Sequence, residues 1–241
     1  MSAHHFSFYA PALRDTDATV ELSGEEHHHL ARVLRMAAGA SILATNGRGL
    51  SVEAVVESVG ATSTTARVAR IEANNPRPAR LALALSVIER AHFETGFAGC
   101  VEAGITELIP LVAARCRARA GGRISTARLE RIAIAAMKQS GRAWLPRVEA
   151  PVDVETLAAR CGGFARVVLA DGSSAPLEIA AEGEATDTLA IVGPEAGFSI
   201  DEVDRLRAAG ARGASLSDHR LRAETAAVVL VAMLAPRGRR N

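Results

Sequence analysis

The chain has 241 residues, enough for one large domain or two modest ones with real cores. At 49% hydrophobic and 23% charged residues it reads as globular, which excludes wholesale disorder, and no apolar run approaches the roughly 18 residues of a membrane-spanning helix. The net charge of +1 hides an uneven distribution: nine cations lie between Ala113 and Arg147 against the single anion Glu130.

Up to about residue 73 the pattern is mostly β. Short alternating stretches occur at Thr19–Leu22, Ser41–Ala44, Ser51–Val56 and Thr64–Ile71, and the cluster Asn46-Gly47-Arg48-Gly49 is a hairpin signal. One short helix interrupts them, with His28, Leu30, Val33 and Leu34 at helical spacing. Several short strands at close spacing point to a small barrel. Asn74-Asn75-Pro76-Arg77-Pro78 breaks the pattern, which places a domain boundary there: residues 1–73 in front, 74–241 behind.

Behind the boundary, strands and helices alternate. Leu81–Ile88 is an apolar run followed by a helix to about Ala103, and Thr106–Val112 is a second strand. Ser125 caps an amphipathic helix carrying Leu129, Ile132, Ile134 and Met137 and ending at Gly141. Arg166–Ala170, Thr188–Val192 and Ala211–Leu216 are further strands. A helix over Ile200–Ala209 stops at Gly210, and a last one runs from about Arg222 to Leu234. Alternation with apolar strands predicts an α/β domain built on a parallel sheet covered on both faces.

Two segments carry the chemistry. Gly193–Ser199 reads G-P-E-A-G-F-S, follows the apolar strand Thr188–Val192, and opens a helix marked by Ser199 and Glu202 as a capping box. The turn between a strand and a helix is where open α/β sheets bind ligands, and glycines there let the main chain approach a flat ligand. Leu221–Ala226 reads L-R-A-E-T-A. Neither G-x-x-x-x-G-K-S/T nor G-x-G-x-x-G occurs, which disfavours nucleoside triphosphates and dinucleotides.

The basic segment is almost all arginine, since Lys138 is the only lysine, and arginine forks suit phosphates and stack on bases. It reads as the footprint of a polyanion. Trp144 among the arginines is a candidate for base stacking or for packing. His27-His28-His29 has no second ligand cluster, so no metal is expected. Cys100, Cys116 and Cys161 are odd in number and widely spaced, as reduced thiols are. The opening residues lack a basic stretch followed by an apolar one, so a cytoplasmic protein with no membrane attachment is expected.

Taken together, these segments resemble the RsmE family, the 16S ribosomal RNA (uracil-N3)-methyltransferases of the SPOUT superfamily. The resemblance rests on His28–Met36 with Gly39, the turn at Asn46–Gly49, Glu102-Ala103-Gly104-Ile105, Ile109-Pro110-Leu111, Gln139–Arg142 with Pro146, and the two segments above. It implies a PUA-like β-barrel in front and a SPOUT α/β domain with a deep trefoil knot behind, acting as a homodimer on the RNA of the small ribosomal subunit.

The cofactor implied is S-adenosylmethionine, held by Leu169, Ile191, Gly193, Pro194, Gly197, Leu216, His219, Leu221 and Thr225. Arg222 is the expected catalytic cation beside the developing imide anion, with Glu224 supporting it. Arg32, Arg35, Arg115, Arg117, Lys138 and Arg142 are the expected RNA contacts. The chain departs from the family pattern at Ala98-Gly99, where Gln-Lys is usual, and at Ser217-Asp218-His219, where a glycine and an arginine are usual. Two alternatives follow from those departures: a SPOUT relative that methylates another RNA, or an RNA-binding dimer with weakened catalysis.

Overall fold

The computed structural model describes residues 6–116, 125–177 and 186–235. The chain divides into two compact units: the first is the chain up to Arg77 together with Ile134–Leu145, the second Pro78–Ala133 together with the chain from Pro146.

The first unit is a five-stranded sheet of β1 (Ser7–Tyr9), β2 (Thr19–Ser23), β3 (Ser41–Thr45), β4 (Leu50–Val59) and β5 (Ser63–Asn74), in the order β1-β3-β4-β5-β2. Only β1 and β3 pair in parallel. The alternation read from the sequence delivers Val20, Leu22, Ile42, Ala44, Val52, Ala54, Val56 and Ala66 to one buried face, where Phe8 and Leu30 join them. Helix α1 (Gly24–His28) widens into a π-helical turn over His29–Val33, with Leu34 N–H donating to the His29 carbonyl at 2.9 Å. That wider turn breaks the 3.6-residue register, so Leu30 is buried while Val33 stands 60% exposed instead of joining the apolar face. His27 is buried, and its Nδ1 sits 2.8 Å from the Thr64 hydroxyl inside the unit.

The glycine cluster forms more than a hairpin. Asn46 Oδ1 accepts from the amides of Arg48 (2.7 Å) and Leu50 (3.2 Å), while Gly49 N–H donates to Ala143 and Leu145 N–H to Gly47. Gly49 has φ +102°, and a Cβ there would meet the Trp144 indole at 2.9 Å. Trp144 is therefore packed against this turn.

The second unit is a seven-stranded sheet in which every pairing is parallel. It comprises β6 (Leu81–Ser86), β7 (Glu107–Val112), β8 (Arg147–Val148), β9 (Val152–Asp153), β10 (Arg166–Ala170), β11 (Thr188–Val192) and β12 (Arg212–Ala214). The order is β12-β10-β11-β6-β7-β8, with β9 also on β7. Every residue of β6 and β11 is buried, as their unbroken apolar runs require at the centre of a covered sheet.

Helices α2 (Arg90–Ala103) and α6 (Ala223–Leu234) pack on each other, and α6 lies on β6 and β11. Helices α4 (Val154–Arg160) and α5 (Ile200–Ala208) pack together, sending Leu157 and Leu206 into the core with Ile109, Leu111, Leu189 and Ile191. Helix α3 (Thr126–Ser140) starts with the Ser125 hydroxyl accepting from Arg128 N–H at 3.3 Å. The strand expected over Ala211–Leu216 is pared to three residues, because the chain beyond Ala214 leaves the sheet to wall a cavity.

Candidate active site

The cavity lies beyond the carboxyl ends of β10, β11 and β12, where a parallel sheet leaves its loops to meet a ligand. Its volume is about 820 Å³, within the range of about 300–1,000 Å³ typical of small-molecule sites.

The first wall is the Gly193–Ser199 loop. Gly197 N–H closes a turn on the Pro194 carbonyl at 2.8 Å, with Gly197 at φ +70°, a conformation that disfavours any side chain. Gly193 lets the Phe198 ring pack behind the loop, since a Cβ there would stand 3.0 Å from it. The capping box forms as its sequence requires: Ser199 Oγ accepts from Glu202 N–H and Glu202 Oε2 from Ser199 N–H. The other Glu202 oxygen accepts from Ala114 N–H at 2.7 Å, and Arg115 donates to the Ala196 carbonyl at 3.3 Å. The segment after β7 thus braces the loop from outside.

The second wall is the segment from Ser215 to Arg222. Ser217 Oγ accepts from His219 N–H at 3.1 Å, and the Ser215 hydroxyl donates to the Ser217 carbonyl at 3.2 Å. Ser217 thus builds the turn with its own hydroxyl. Arg220 donates to the Glu195 carbonyl at 2.8 Å, tying one wall to the other. Arg222 is the N-cap of α6 and lines the cavity with Ala223 and Ala226.

The far end is polar. Asp171, just past β10, takes hydrogen bonds from the Ser173 and Ser174 hydroxyls and from Arg207 (3.0 Å). Ser173, then Ser174 and Arg207, hold its carboxyl below the ordinary aspartate range. Gly213 makes room for this cluster: a Cβ there would collide with Ser174 Oγ.

Leu169, Gly193, Pro194, Gly197, Leu216, His219, Leu221 and Arg222 all line the cavity. Three others named from the sequence do not. Ile191 is fully buried in the sheet, Thr225 is exposed on α6, and Glu224 faces α2. Glu224 Oε1 lies 3.1 Å from His92 Nδ1, and a Cβ on Gly96 would come within 2.8 Å of the Glu224 Cβ. Gly99 is packed as closely on Val228 of α6, at 2.9 Å, so the small residue at this departure from the family pattern has a packing reason.

Among the expected RNA contacts, Arg32, Arg35 and Arg115 are exposed. Lys138 is not a bare cation: its ammonium sits 2.6 Å from Glu26 and its side chain is 18% exposed. Arg142 is half-buried, and burial pushes its guanidinium below the ordinary range. Arg117 lies outside the described residues. The sequence reading missed Asp171, Ser173, Asp204 and Arg207, although Asp171 follows the end of a predicted strand, which is itself a ligand signal.

A family model described as "RNA methyltransferase domain" matches residues 75–235, and one described as "RNA methyltransferase PUA domain" matches residues 22–69. The chain belongs to this RNA methyltransferase family. It is 32% identical over 232 residues to the protein named "Ribosomal RNA small subunit methyltransferase E" of Mycobacterium tuberculosis, covering 92% of this chain and 88% of that protein. It is 26% identical to the protein of the same name from Rickettsia conorii, covering 90% of each. The crystal structure of the Neisseria gonorrhoeae ribosomal RNA small subunit methyltransferase E bound to S-adenosyl methionine superposes with a TM-score of 0.84 at 25% identity, over 95% of this chain and 96% of that one. A Legionella pneumophila methyltransferase described with bound SAM gives a TM-score of 0.82, also at 25% identity and over 95% and 96% of the two chains. The RNA methyltransferase fold of this chain is thus α/β, a SPOUT-like parallel sheet preceded by a PUA-like unit.

Proposed function

We propose that this chain transfers the methyl group of S-adenosylmethionine to a uridine N3 in the RNA of the small ribosomal subunit, working in the cytoplasm as a homodimer whose second unit carries a trefoil knot. The observation that carries the reading is the cavity walled by G-P-E-A-G-F-S and by Leu216–Arg222 at the strand ends of a chain in this family.

The residues present fit the cofactor. Gly193 and Gly197 bring main-chain groups to the cavity with no Cβ in the way, Leu169, Val192, Leu216 and Leu221 supply an apolar slot, and no phosphate cradle is needed. Bound S-adenosylmethionine supplies a methyl group on an electron-poor sulfonium. Loops tied at Arg220–Glu195 fix the alignment on which an in-line displacement depends. Arg222, the N-cap of α6, lines the cavity, and its permanent cation is the group proposed to offset the negative charge the uracil imide gathers. Arg32, Arg35 and Arg115 are the exposed arginines proposed to grip RNA phosphates.

Calorimetry with S-adenosylmethionine, followed by methyl transfer to small ribosomal subunits lacking the mark, tests the reading. Cofactor binding and N3-methyluridine in the subunit RNA support it. No heat of binding at high ligand concentration removes it, and methylation of transfer RNA alone replaces its substrate.

A further inference from the structure

We propose that Arg207, held in place by Asp171, receives the α-carboxylate of the cofactor's amino-acid tail, and that Asp204 receives its α-ammonium; this rests on the cofactor site proposed above.

The cavity is not uniform. Leu216, Leu221, Ala223 and Ala226 give one part an apolar lining, while Asp171, Ser173, Asp204 and Arg207 make the far end polar. S-adenosylmethionine is equally uneven. Its adenine is flat and neutral, and beyond the sulfonium its tail carries an anion and a cation on one carbon. Adenine set among the charged groups would strip them of water and leave them unpaired, whereas the tail pairs with them. Among the arginines that line the cavity, Arg220 donates to the Glu195 carbonyl at 2.8 Å, and Arg222 is the N-cap of α6, beside Leu221 and Ala223 of the apolar part. Arg207, from the last turn of α5, is the arginine of the polar end.

Asp171 is placed to hold that arginine and not the ligand. Its Oδ1 accepts from the Ser173 amide (3.0 Å) and hydroxyl (2.7 Å), and its Oδ2 from the Ser174 hydroxyl (2.8 Å) and from Arg207 Nη2 (3.0 Å). A carboxylate offers about four acceptor sites, so these contacts fill it. The same partners, Ser173 foremost, keep its carboxyl below the ordinary aspartate range, so it stays charged beside the guanidinium.

Arg207 makes no other side-chain hydrogen bond among the described residues, and its side chain is 49% exposed. A guanidinium presents a planar fork of N–H donors, so enough remain for the paired contact that arginine makes with an incoming carboxylate. Asp204 lies three residues before Arg207 on α5 and therefore on the same face of the helix. Its carboxylate has no hydrogen-bond or ion-pair partner among the described residues. A fixed cation next to an unoccupied anion is the complement of an α-amino acid.

Titration calorimetry of the full-length protein tests this with S-adenosylmethionine, its decarboxylated analogue, which keeps the amine, and 5′-methylthioadenosine, which lacks the tail. Wild type should bind S-adenosylmethionine about 10- to 100-fold more tightly than the decarboxylated compound, as hydrogen bonds between charged groups allow. Arg207→Ala should bring S-adenosylmethionine down to the affinity of the decarboxylated compound and leave that second affinity unchanged. Asp171→Asn, which loosens the guanidinium without removing it, should weaken S-adenosylmethionine alone, by about threefold to tenfold. Asp204→Asn should weaken both amine-bearing ligands, and 5′-methylthioadenosine should bind wild type and variants alike. Equal losses of all the ligands in Arg207→Ala would mean a structural role and overturn the proposal. A wild type that binds S-adenosylmethionine and the decarboxylated compound equally overturns it too. If Arg207→Ala keeps its cofactor affinity but lowers the salt slope of RNA binding by about one, the guanidinium meets an RNA phosphate and the proposal falls. A wild type that binds none of these ligands overturns the cofactor site and this proposal together.

Discussion

Gly96 on α2 lies so close to Glu224 on α6 that a Cβ added at Gly96 would stand 2.8 Å from the glutamate Cβ and 3.0 Å from its Cα. The neighbour is backbone and cannot swing aside. A Cβ at Gly99 would meet only side-chain atoms of Val228, the nearest being Cγ2 at 2.9 Å. Alanine in place of helical glycine gains about 1 kcal/mol of propensity at either position, while overpacking costs about 1–3 kcal/mol. Gly99→Ala should therefore come out near neutral in urea denaturation, and Gly96→Ala clearly destabilised. The displaced α6 should also weaken cofactor binding, because Ala223 and Ala226 on its first turn line the cavity. Equal stability of the two variants would show that the helices are not held as tightly as this geometry implies.

Much of this arrangement was legible in the sequence, and the gaps have physical causes. The central strands β6 and β11 announce themselves as unbroken apolar runs, and the α5 start by its capping box, because burial and capping act on neighbouring residues. The Gly193–Ser199 loop was found by glycine chemistry that is equally local, whereas the second loop, which holds no glycine, was marked only by the L-R-A-E-T-A segment that follows it. The strands β8 and β9 are two residues each and owe their existence to β7 alongside them, which no local pattern encodes. Val33 was misplaced because a π-helical turn shifts the register that a 3.6-residue period assumes. Lys138 looked like a polyanion contact because its partner Glu26 is 112 positions away. Ile191 and Thr225 sit beside cavity residues in the sequence but point elsewhere, a matter of which face a strand or helix presents.

Gly197→Ala tests the first wall of the cavity. At φ +70° an alanine costs on the order of 1–2 kcal/mol, and the turn that exposes the main chain would relax to avoid it. Calorimetry should find S-adenosylmethionine binding weakened by about tenfold or more, with global stability lowered by about 1 kcal/mol at most, since the loop is at the surface. Unchanged affinity would mean that the ligand does not depend on this turn.

Arg115 has two duties that one variant separates. Its side chain is exposed for phosphate and also donates to the Ala196 carbonyl at 3.3 Å. Arg115→Ala should lower the slope of log affinity against log salt by about one for RNA. Arg115→Lys should restore the slope but not the brace on the loop, because a single ammonium does not reproduce the fork. A slope unchanged in Arg115→Ala would place the RNA grip elsewhere on the chain.

Glu107 controls an acid-sensitive joint between β7 and its neighbours β6 and β8. Its side chain is 6% exposed and accepts from Arg80 at 2.9 and 3.1 Å and from Arg147 at 3.0 Å. Burial alone would push its carboxyl up, but hydrogen bonds with Arg80, then Glu149 and Arg147, outweigh it and hold the carboxyl below the ordinary glutamate value of 4.5. A carboxyl lowered by folding stabilises the protein above its unfolded pKa, and that contribution is lost as the pH falls through the folded value. Stability of the wild type should accordingly drop as the pH is taken below about 4.5. In Glu107→Gln this part of the pH dependence should vanish. At neutral pH the variant should be weaker by about 1–3 kcal/mol, less than for a fully buried pair, because Arg147 remains 64% exposed and hydrates when released. Urea titrations from pH 3 to pH 7 (about the range where a glutamate changes charge) read both effects at once. Parallel stability curves for the two proteins would show that the arginines hold Glu107 no more tightly folded than unfolded.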